Sequence, residues 1–155
     1  MNESKRITEK EELRRIIPVI RDLRDNNSEI LISVDTTKST VASTALQAGA
    51  DIVNDISGLS FDAEMIEIVG KYEAPVVIMH MKGNPQTMQK QTHYKSLIID
   101  VYNYFSKRIQ AAKEHKIKDL ILDIGFGFAK TTEQNYKLLR HMDFFRNLNL
   151  PILTG

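Results

Sequence analysis

Short apolar runs alternate with amphipathic helical segments along the chain, and this alternation restricts the possible folds most. The runs are "ILISVD", "DIVND", "PVVIMHM", "LILDIG" and "LPILTG". Each is too short for a buried helix and has the apolar character of a strand buried on both faces. A helical pattern from Thr8 to about Arg24, with Thr8 as a capping residue, precedes the first run, and further helical patterns separate the others. Helices alternating with such strands predict a parallel α/β sheet.

Two parallel architectures fit this order of elements about equally well. A doubly wound open sheet normally begins with a strand and closes with a helix, whereas this chain begins with a helix and ends with a strand. An open sheet of that order would leave both edges bare, which complete domains avoid. The pattern alone therefore leaves an open sheet and a piece of a (β/α)8 barrel as alternatives.

Composition limits the partners and the setting of the protein. The 155 residues are 42% hydrophobic and 26% charged with a net charge of +1, which is typical of one soluble globular domain. Basic residues are interleaved with acidic ones, so nucleic acid is not expected as a partner. There is no cysteine, and no run approaches the roughly 18 apolar residues of a membrane span. We therefore predict a cytoplasmic protein without a membrane partner.

Polar residues end four of the predicted strands. They are Asp35, Asn54 with Asp55, His80 and Asp123. In a parallel sheet these positions lie at the carboxyl edge, where ligands bind. Any one of them could cap a helix or complete a turn. Four together predict one site.

The residue types at this edge suit recognition of a flat heterocycle more than bond breaking. Carboxylates accept pairs of hydrogen bonds from ring N–H and amino groups, and Asn54 can meet a mixed donor and acceptor edge. Phe128, Met79 and Met81 could form an apolar wall, although core packing is favoured about two to one for either methionine. His80 is favoured slightly as a satisfied core histidine. No metal cluster is evident.

The segment "GFGFAK" follows Asp123 but lacks the phosphate-loop and dinucleotide-binding patterns. Its glycines are expected to let the backbone turn sharply and approach a ligand. Lys130 is expected to be a solvated loop charge.

Four strings, in order, resemble dihydropteroate synthase of folate biosynthesis: "SVDT", "GADIVNDISGL", "MHMKGNPQTMQ" and "LDIGFGFAK". The resemblance implies a (β/α)8 TIM barrel, of which about five of eight strands, roughly strands 3 to 7, are present. It implies an enzyme that condenses 6-hydroxymethyl-7,8-dihydropterin pyrophosphate with 4-aminobenzoate, with help from Mg²⁺. It also implies that Asp35, Asn54 and Asp123 bind the pterin, that Met79 contacts it in an apolar pocket, and that Phe128 forms a wall near 4-aminobenzoate.

The chain also departs from this family. Ile124 and Ala129 replace residues of the usual "DPGFGFGK" string. The family's upstream asparagine and "DxGGESTRPG" loop and its downstream "SRK" lysine, arginine and histidine have no counterpart in these residues. We therefore expect residues 1–155 to be a single partial pterin-binding domain, truncated at both ends, with the Mg²⁺ ligand in a missing N-terminal part. No catalytic or metal-binding residue is assigned within the chain.

These departures lead to further expectations. The isolated chain is expected to be inactive and to fold poorly, with Ile32, Val53, Val77 and Leu122 facing a void, whereas intact family members are expected to be homodimers. The alternatives are a pterin-dependent methyltransferase domain, against which "MHMKGNPQTMQ" argues, and a non-catalytic open-sheet binding domain.

Overall fold

The computed structural model describes residues 7–27, 29–84 and 87–155, apart from the side chain of Gln89. Five helices and five strands alternate along these residues. The helices are α1 (Glu9–Asn26), α2 (Ser39–Ala48), α3 (Met65–Tyr72), α4 (Leu97–Glu114) and α5 (Thr132–Arg140). The strands are β1 (Ser33–Asp35), β2 (Ile52–Asp55), β3 (Val76–Met79), β4 (Leu120–Asp123) and β5 (Ile152–Leu153). Short 3₁₀ helices occupy Met88–Lys90 and Met142–Leu148.

The strands form one parallel sheet in the order β1-β2-β3-β4-β5. A doubly wound sheet reverses its strand order at a switch point, and no such reversal occurs here. Within the described residues β1 and β5 do not pair with each other, so the sheet is open. An open, sequentially ordered parallel sheet is the arrangement expected for part of a (β/α)8 barrel, and this confirms the α/β partial-barrel prediction.

One face of the sheet is buried against the helices. Val34, Val53, Ile78 and Leu122 belong to a core cluster that also contains residues of all five helices and the Met142–Leu148 segment. The expectation that Ile32, Val53, Val77 and Leu122 face a void is wrong, because their exposed fractions are 8%, 0%, 3% and 0%, although Val77 does point to the face away from the helices. Ile32, Val53 and Leu122 point to the helices, since alternate residues of a strand point to opposite faces.

The opposite face is only partly covered. The register pairs Asp35 with Asn54, Asn54 with Val77, and Met79 with Asp123, so these positions project on the same side of the sheet. Ile52, Ile121 and Leu153 alternate with the core positions in the same way and remain half-buried or exposed. In a partial barrel this is the inner, concave face, and the predicted site residues lie at its carboxyl edge.

Local sequence signals explain where the helices begin. The Thr8 hydroxyl accepts a hydrogen bond from the Glu11 backbone N–H at 3.3 Å, which confirms the predicted cap of α1. At α5, Thr131 and Gln134 form a capping box. The helical pattern between "LILDIG" and "LPILTG" is "EQNYKLLRHMDFFRNL", which predicts one helix, but the structure divides it into α5 and a 3₁₀ segment. The tighter segment buries Phe145 completely, with its ring centroid 6.5 Å from that of Phe105.

No helix in the described part of the chain is long and apolar enough to cross a membrane.

Candidate functional site

Asp35 and Asn54 meet at the carboxyl ends of β1 and β2. The Asn54 amide nitrogen donates to Asp35 Oδ2 at 3.3 Å. Partial burial raises the pKa of the Asp35 carboxyl, the hydrogen bond from Asn54 lowers it, and the charge of Glu12 raises it. The side-chain oxygen Oδ1 of Asn54 is buried and has no hydrogen-bond partner among the described residues, whereas its backbone carbonyl accepts from the Thr36 N–H. Oδ1 is an acceptor that a ligand donor could satisfy.

Asp123 lies on the same face at the end of β4, two strands away from Asn54. Its Oδ1 accepts from the Gly125 N–H at 2.7 Å, while Oδ2 has no hydrogen-bond partner in the described part of the chain. Burial raises the pKa of the Asp123 carboxyl, and the Gly125 N–H and the charge of Lys130 oppose this rise. Asp123 therefore offers an oriented carboxylate with a remaining acceptor.

Met79 lies beside Asp123 on the intervening strand β3, and the two are paired in the sheet register. Its side chain is 2% exposed, yet it lies outside the core cluster that packs against the helices. Met81 is also buried and likewise lies outside that cluster, so the core packing favoured for both methionines stays a prediction. For Met79 the position on the concave face leaves a contact with a ligand open.

The loop after β4 turns through three residues with positive φ: Gly125 at 70°, Gly127 at 81° and Ala129 at 53°. A Cβ atom on Gly125 would lie far inside the contact distance of the His80 carbonyl oxygen and 3.1 Å from Met79 Cγ. This position therefore requires glycine both for its backbone conformation and for space. The loop holds Phe128 half-buried, five residues beyond Asp123.

The expectation that Lys130 is a solvated loop charge is wrong. Its side chain is buried, and Nζ donates to the carbonyl oxygens of Gly125 at 2.8 Å, Phe128 at 3.0 Å and His80 at 3.2 Å. Burial lowers the pKa of Lys130 to about 7, against an opposing effect of Asp123 and a supporting one of Lys82. Lysine is almost never fully buried without partners, and here backbone carbonyls are the partners.

His80 and Asp55 end their strands but do not join the concave face. The His80 ring packs against Tyr104 with centroids 4.9 Å apart, so it is a core residue, as favoured from the sequence. It is not fully satisfied, because its Nδ1 is buried and has no partner among the described residues. Burial lowers the pKa of His80 to about 3, which keeps the ring neutral near pH 7.

Asp55 is fully buried and accepts from the backbone N–H groups of Ser57 and Leu59 at 2.8 and 2.9 Å. It therefore serves the turn after β2, and the predicted meeting of four strand ends at one site is wrong for Asp55 and His80. The residues that do share the concave face are Asp35, Asn54, Met79 and Asp123.

Glu12 of α1 is a neighbour of this edge that sequence reasoning missed. It is 8% exposed, accepts from the Thr36 hydroxyl at 2.6 Å, and forms an ion pair with Lys38. These contacts fix the loop that follows Asp35. The acidic run "EKEEL" indicated only a helix start, and nothing in it distinguished Glu12 from its exposed neighbours.

Comparison with known proteins agrees with this geometry. The sequence pattern of the family described as "Pterin binding enzyme" matches residues 1–155. A curated relative, dihydropteroate synthase of Synechocystis, is 47% identical over 148 residues, which are 94% of this chain and 51% of the relative. The chain thus spans about half the length of the curated relatives it matches.

Solved structures of dihydropteroate synthases have the same fold as this chain over the matched region. Dihydropteroate synthase from Stenotrophomonas maltophilia, with imidazole in its active site, matches with a TM-score of 0.93 and 38% identity, over 99% of this chain and 58% of that one. The Xanthomonas albilineans enzyme in complex with 7,8-dihydropteroate matches with a TM-score of 0.87 and 36% identity, over 96% of this chain and 55% of that one.

Proposed function

Because the chain belongs to the pterin-binding enzyme family, we propose that it supplies the pterin-binding part of a dihydropteroate synthase. The reaction would join 6-hydroxymethyl-7,8-dihydropterin pyrophosphate to 4-aminobenzoate and give 7,8-dihydropteroate and pyrophosphate. The observation that carries the proposal is the placement of Asp35, Asn54 and Asp123 on one concave face, at the carboxyl ends of three strands. This edge is where ligands bind in parallel α/β folds.

Asp123 is proposed to hold the pterin ring. Its carboxylate is oriented by the Gly125 N–H, and its remaining oxygen can accept from an amino group or a ring N–H. Charge-assisted hydrogen bonds of this kind are roughly twice as strong as neutral ones. Partial burial strengthens them further, because competition from water is reduced.

Asn54 is proposed to read a second edge of the ring. Its side-chain oxygen Oδ1 has no partner among the described residues, and a buried acceptor of this kind is costly unless a ligand satisfies it. Its side-chain amide nitrogen is already directed to Asp35, which fixes the orientation of Oδ1. Asp35 and Asn54 would thus act as a pair.

Apolar contact would come from Met79 and Phe128. Met79 is adjacent to Asp123 across the strand pair, so a ring bound to Asp123 could rest against its thioether. Phe128, on the loop after β4, is proposed as a wall near 4-aminobenzoate. Aromatic side chains suit this role because they give a large apolar face at a small cost in side-chain entropy.

In the proposed reaction the amine nitrogen of 4-aminobenzoate forms a bond to the methylene carbon of the pterin. The bond from that carbon to the pyrophosphate oxygen breaks, pyrophosphate leaves with the electron pair, and the amine loses a proton. Positive charge that develops on the pterin would be stabilised by the carboxylate of Asp123. The residues of this chain thus bind and orient the pterin.

Mg²⁺ is the cofactor that the resemblance implies. Within the described residues no three acidic or histidine side chains are grouped closely enough to hold a metal ion. These residues do not fit a Mg²⁺ site by themselves, and no step of the reaction is assigned here to a metal.

The test is a product assay on the protein expressed from its complete natural coding sequence. The protein is incubated with the pterin pyrophosphate and 4-aminobenzoate, and 7,8-dihydropteroate is measured by chromatography, with either substrate omitted as a control. Product that requires both substrates supports the proposal. Methyl transfer from a methylated pterin in place of condensation, or no product from a cooperatively folded protein, would contradict it.

A further inference from the structure

The buried lysine after β4 is bonded only to backbone carbonyls. An ammonium group has three N–H donors, and Lys130 Nζ directs them to the carbonyl oxygens of Gly125, Phe128 and His80. The side chain is 4% exposed, so these bonds are shielded from water. Three donors thus meet three carbonyl acceptors, and each N–H of the ammonium group has a partner.

Two of these three contacts lead directly to Asp123. The Gly125 carbonyl accepts from Lys130, and the N–H of the same residue donates to Asp123 Oδ1. The His80 carbonyl accepts from Lys130, and the His80 N–H donates to the Asp123 carbonyl at 2.9 Å. Lys130 is thus one residue removed from Asp123 along two separate paths.

The third contact leads to Phe128, whose carbonyl accepts from Lys130 at 3.0 Å. Positive φ angles at Gly125, Gly127 and Ala129 curl the chain around the ammonium group. The Tyr94 hydroxyl donates to the Ala129 carbonyl at 2.9 Å and holds the loop beside Lys130. Without a cation at the centre, the enclosed carbonyl oxygens would repel one another and lack donors.

We infer that Lys130 is a positioning residue for the proposed pterin site, whose ammonium group fixes the Gly125–Phe128 loop to the end of β3 and thereby orients Asp123. It acts through backbone groups and does not itself touch the ligand. The inference rests on the proposed function for its ligand. Its structural part, that the ammonium group orders this loop, stands on the contacts alone.

The test separates the ammonium group from the volume of the side chain. The 155 residues contain no cysteine, so Lys130→Cys introduces the first thiol of this region, which can be alkylated in denaturant before refolding. Any cysteine encoded outside these residues is replaced by serine in every form, including the unmutated control. Alkylation with 2-bromoethylamine restores an ammonium group at the length of lysine. Alkylation with 1-bromopropane gives a side chain of the same length without charge. The protein is expressed from its complete natural coding sequence, and the unmutated protein is treated identically as a control.

Two quantities are measured for each form at pH 6, where Lys130 carries its proton: affinity for 6-hydroxymethyl-7,8-dihydropterin pyrophosphate by calorimetry, and hydrogen exchange of the Gly125 amide. We expect the aminoethyl form to bind within about threefold of the wild type and the propyl form at least about tenfold more weakly. Gly125 exchange should be about tenfold or more faster in the propyl form, because its bond to Asp123 is no longer fixed. Lys137→Met, which removes an exposed charge on α5, should change neither quantity.

Equal affinity and equal Gly125 exchange in the two alkylated forms would overturn the inference. Failure of the aminoethyl form to recover binding would also overturn it, because the ammonium group would then not suffice. If the wild type itself does not bind the pterin, the proposed function fails instead. Gly125 exchange then still decides whether the ammonium group orders the loop.

Discussion

Replacement of Gly125 by alanine tests the close approach between the loop after β4 and the end of β3. The residue has φ of 70°, and an added Cβ would collide with the His80 carbonyl oxygen. Gly127 provides a matched control two residues away. Its φ is 81°, and no described heavy atom lies within 4 Å of the position that an added Cβ would take there. The two substitutions therefore share backbone strain and differ in the clash.

The expected magnitudes follow from these contacts. Alanine with positive φ costs about 1 kcal/mol, partly offset because the unfolded chain loses freedom, so Gly127→Ala should destabilise by about 1 kcal/mol or less. At Gly125 the collision with a backbone atom adds about 1–3 kcal/mol. Displacement of His80 and Gly125 would also weaken the hydrogen bonds to Lys130 and Asp123, at about 1 kcal/mol each. Gly125→Ala should therefore cost about 3–6 kcal/mol in all.

The assay is urea denaturation of the protein expressed from its complete natural coding sequence, with calorimetric binding of the pterin pyrophosphate measured below the transition. Gly125→Ala should lower the free energy of unfolding well below that of Gly127→Ala, and any folded fraction should bind the pterin more weakly. Equal free energies of unfolding for the two variants would refute the close approach of Gly125 to His80.

Three further predictions concern stability. Glu73→Gly should raise the free energy of unfolding by about 0.5–1 kcal/mol in a urea titration, because Glu73 ends α3 with φ of 49° and its exposed ion pair with Lys118 contributes little; a loss of stability would contradict this. His80 has a pKa of about 3 in the folded protein, below its unfolded value of 6.5, so the unfolded chain binds more protons between these values and stability rises with pH. His80→Phe should flatten that slope over pH 3–6.5, and an unchanged slope would refute the neutral buried ring. Lys130 follows the same sign, because its folded pKa of about 7 lies below its ordinary 10.5, and its charged or titratable neighbours are Asp123, Lys82 and His80. Between these pH values the free energy of unfolding of the wild type should rise, relative to that of Lys130→Met, by up to about 1.4 kcal/mol per pH unit. Parallel pH profiles for the two proteins would contradict it.

The strands and their parallel order could be predicted because each strand is a short apolar run between helical patterns. The face of the sheet to which each strand residue points could not be predicted. In "ILISVD" and "LILDIG" apolar residues occupy nearly every position, so the alternation that separates the two faces of a sheet is missing. This is why Ile32, Val53 and Leu122 were assigned to the wrong face. The shared edge of Asp35, Asn54 and Asp123 was predicted correctly, because strand ends share one edge in any parallel sheet, whereas their role in binding stays a prediction.

The burial of Lys130 lay beyond sequence reasoning for a physical reason. A lysine in a glycine-rich loop is ordinarily exposed, and only the backbone conformation shows that three carbonyls surround it. Ala129 adopts a positive φ, although alanine in a sequence does not predict such a turn. Glu12 was missed similarly, because its partners Thr36 and Lys38 are 24 and 26 residues away in sequence.

The most direct test of the pterin-binding claim is calorimetric titration of Asp123→Asn with 6-hydroxymethyl-7,8-dihydropterin pyrophosphate. The matched control is Asp119→Asn, which changes an exposed aspartate just before β4. Loss of a partly buried carboxylate that accepts hydrogen bonds from the ring should cost about 2–5 kcal/mol, so Asp123→Asn should weaken binding by well over tenfold while Asp119→Asn binds as the wild type does. Unchanged affinity in Asp123→Asn, with wild-type binding intact, would contradict the account.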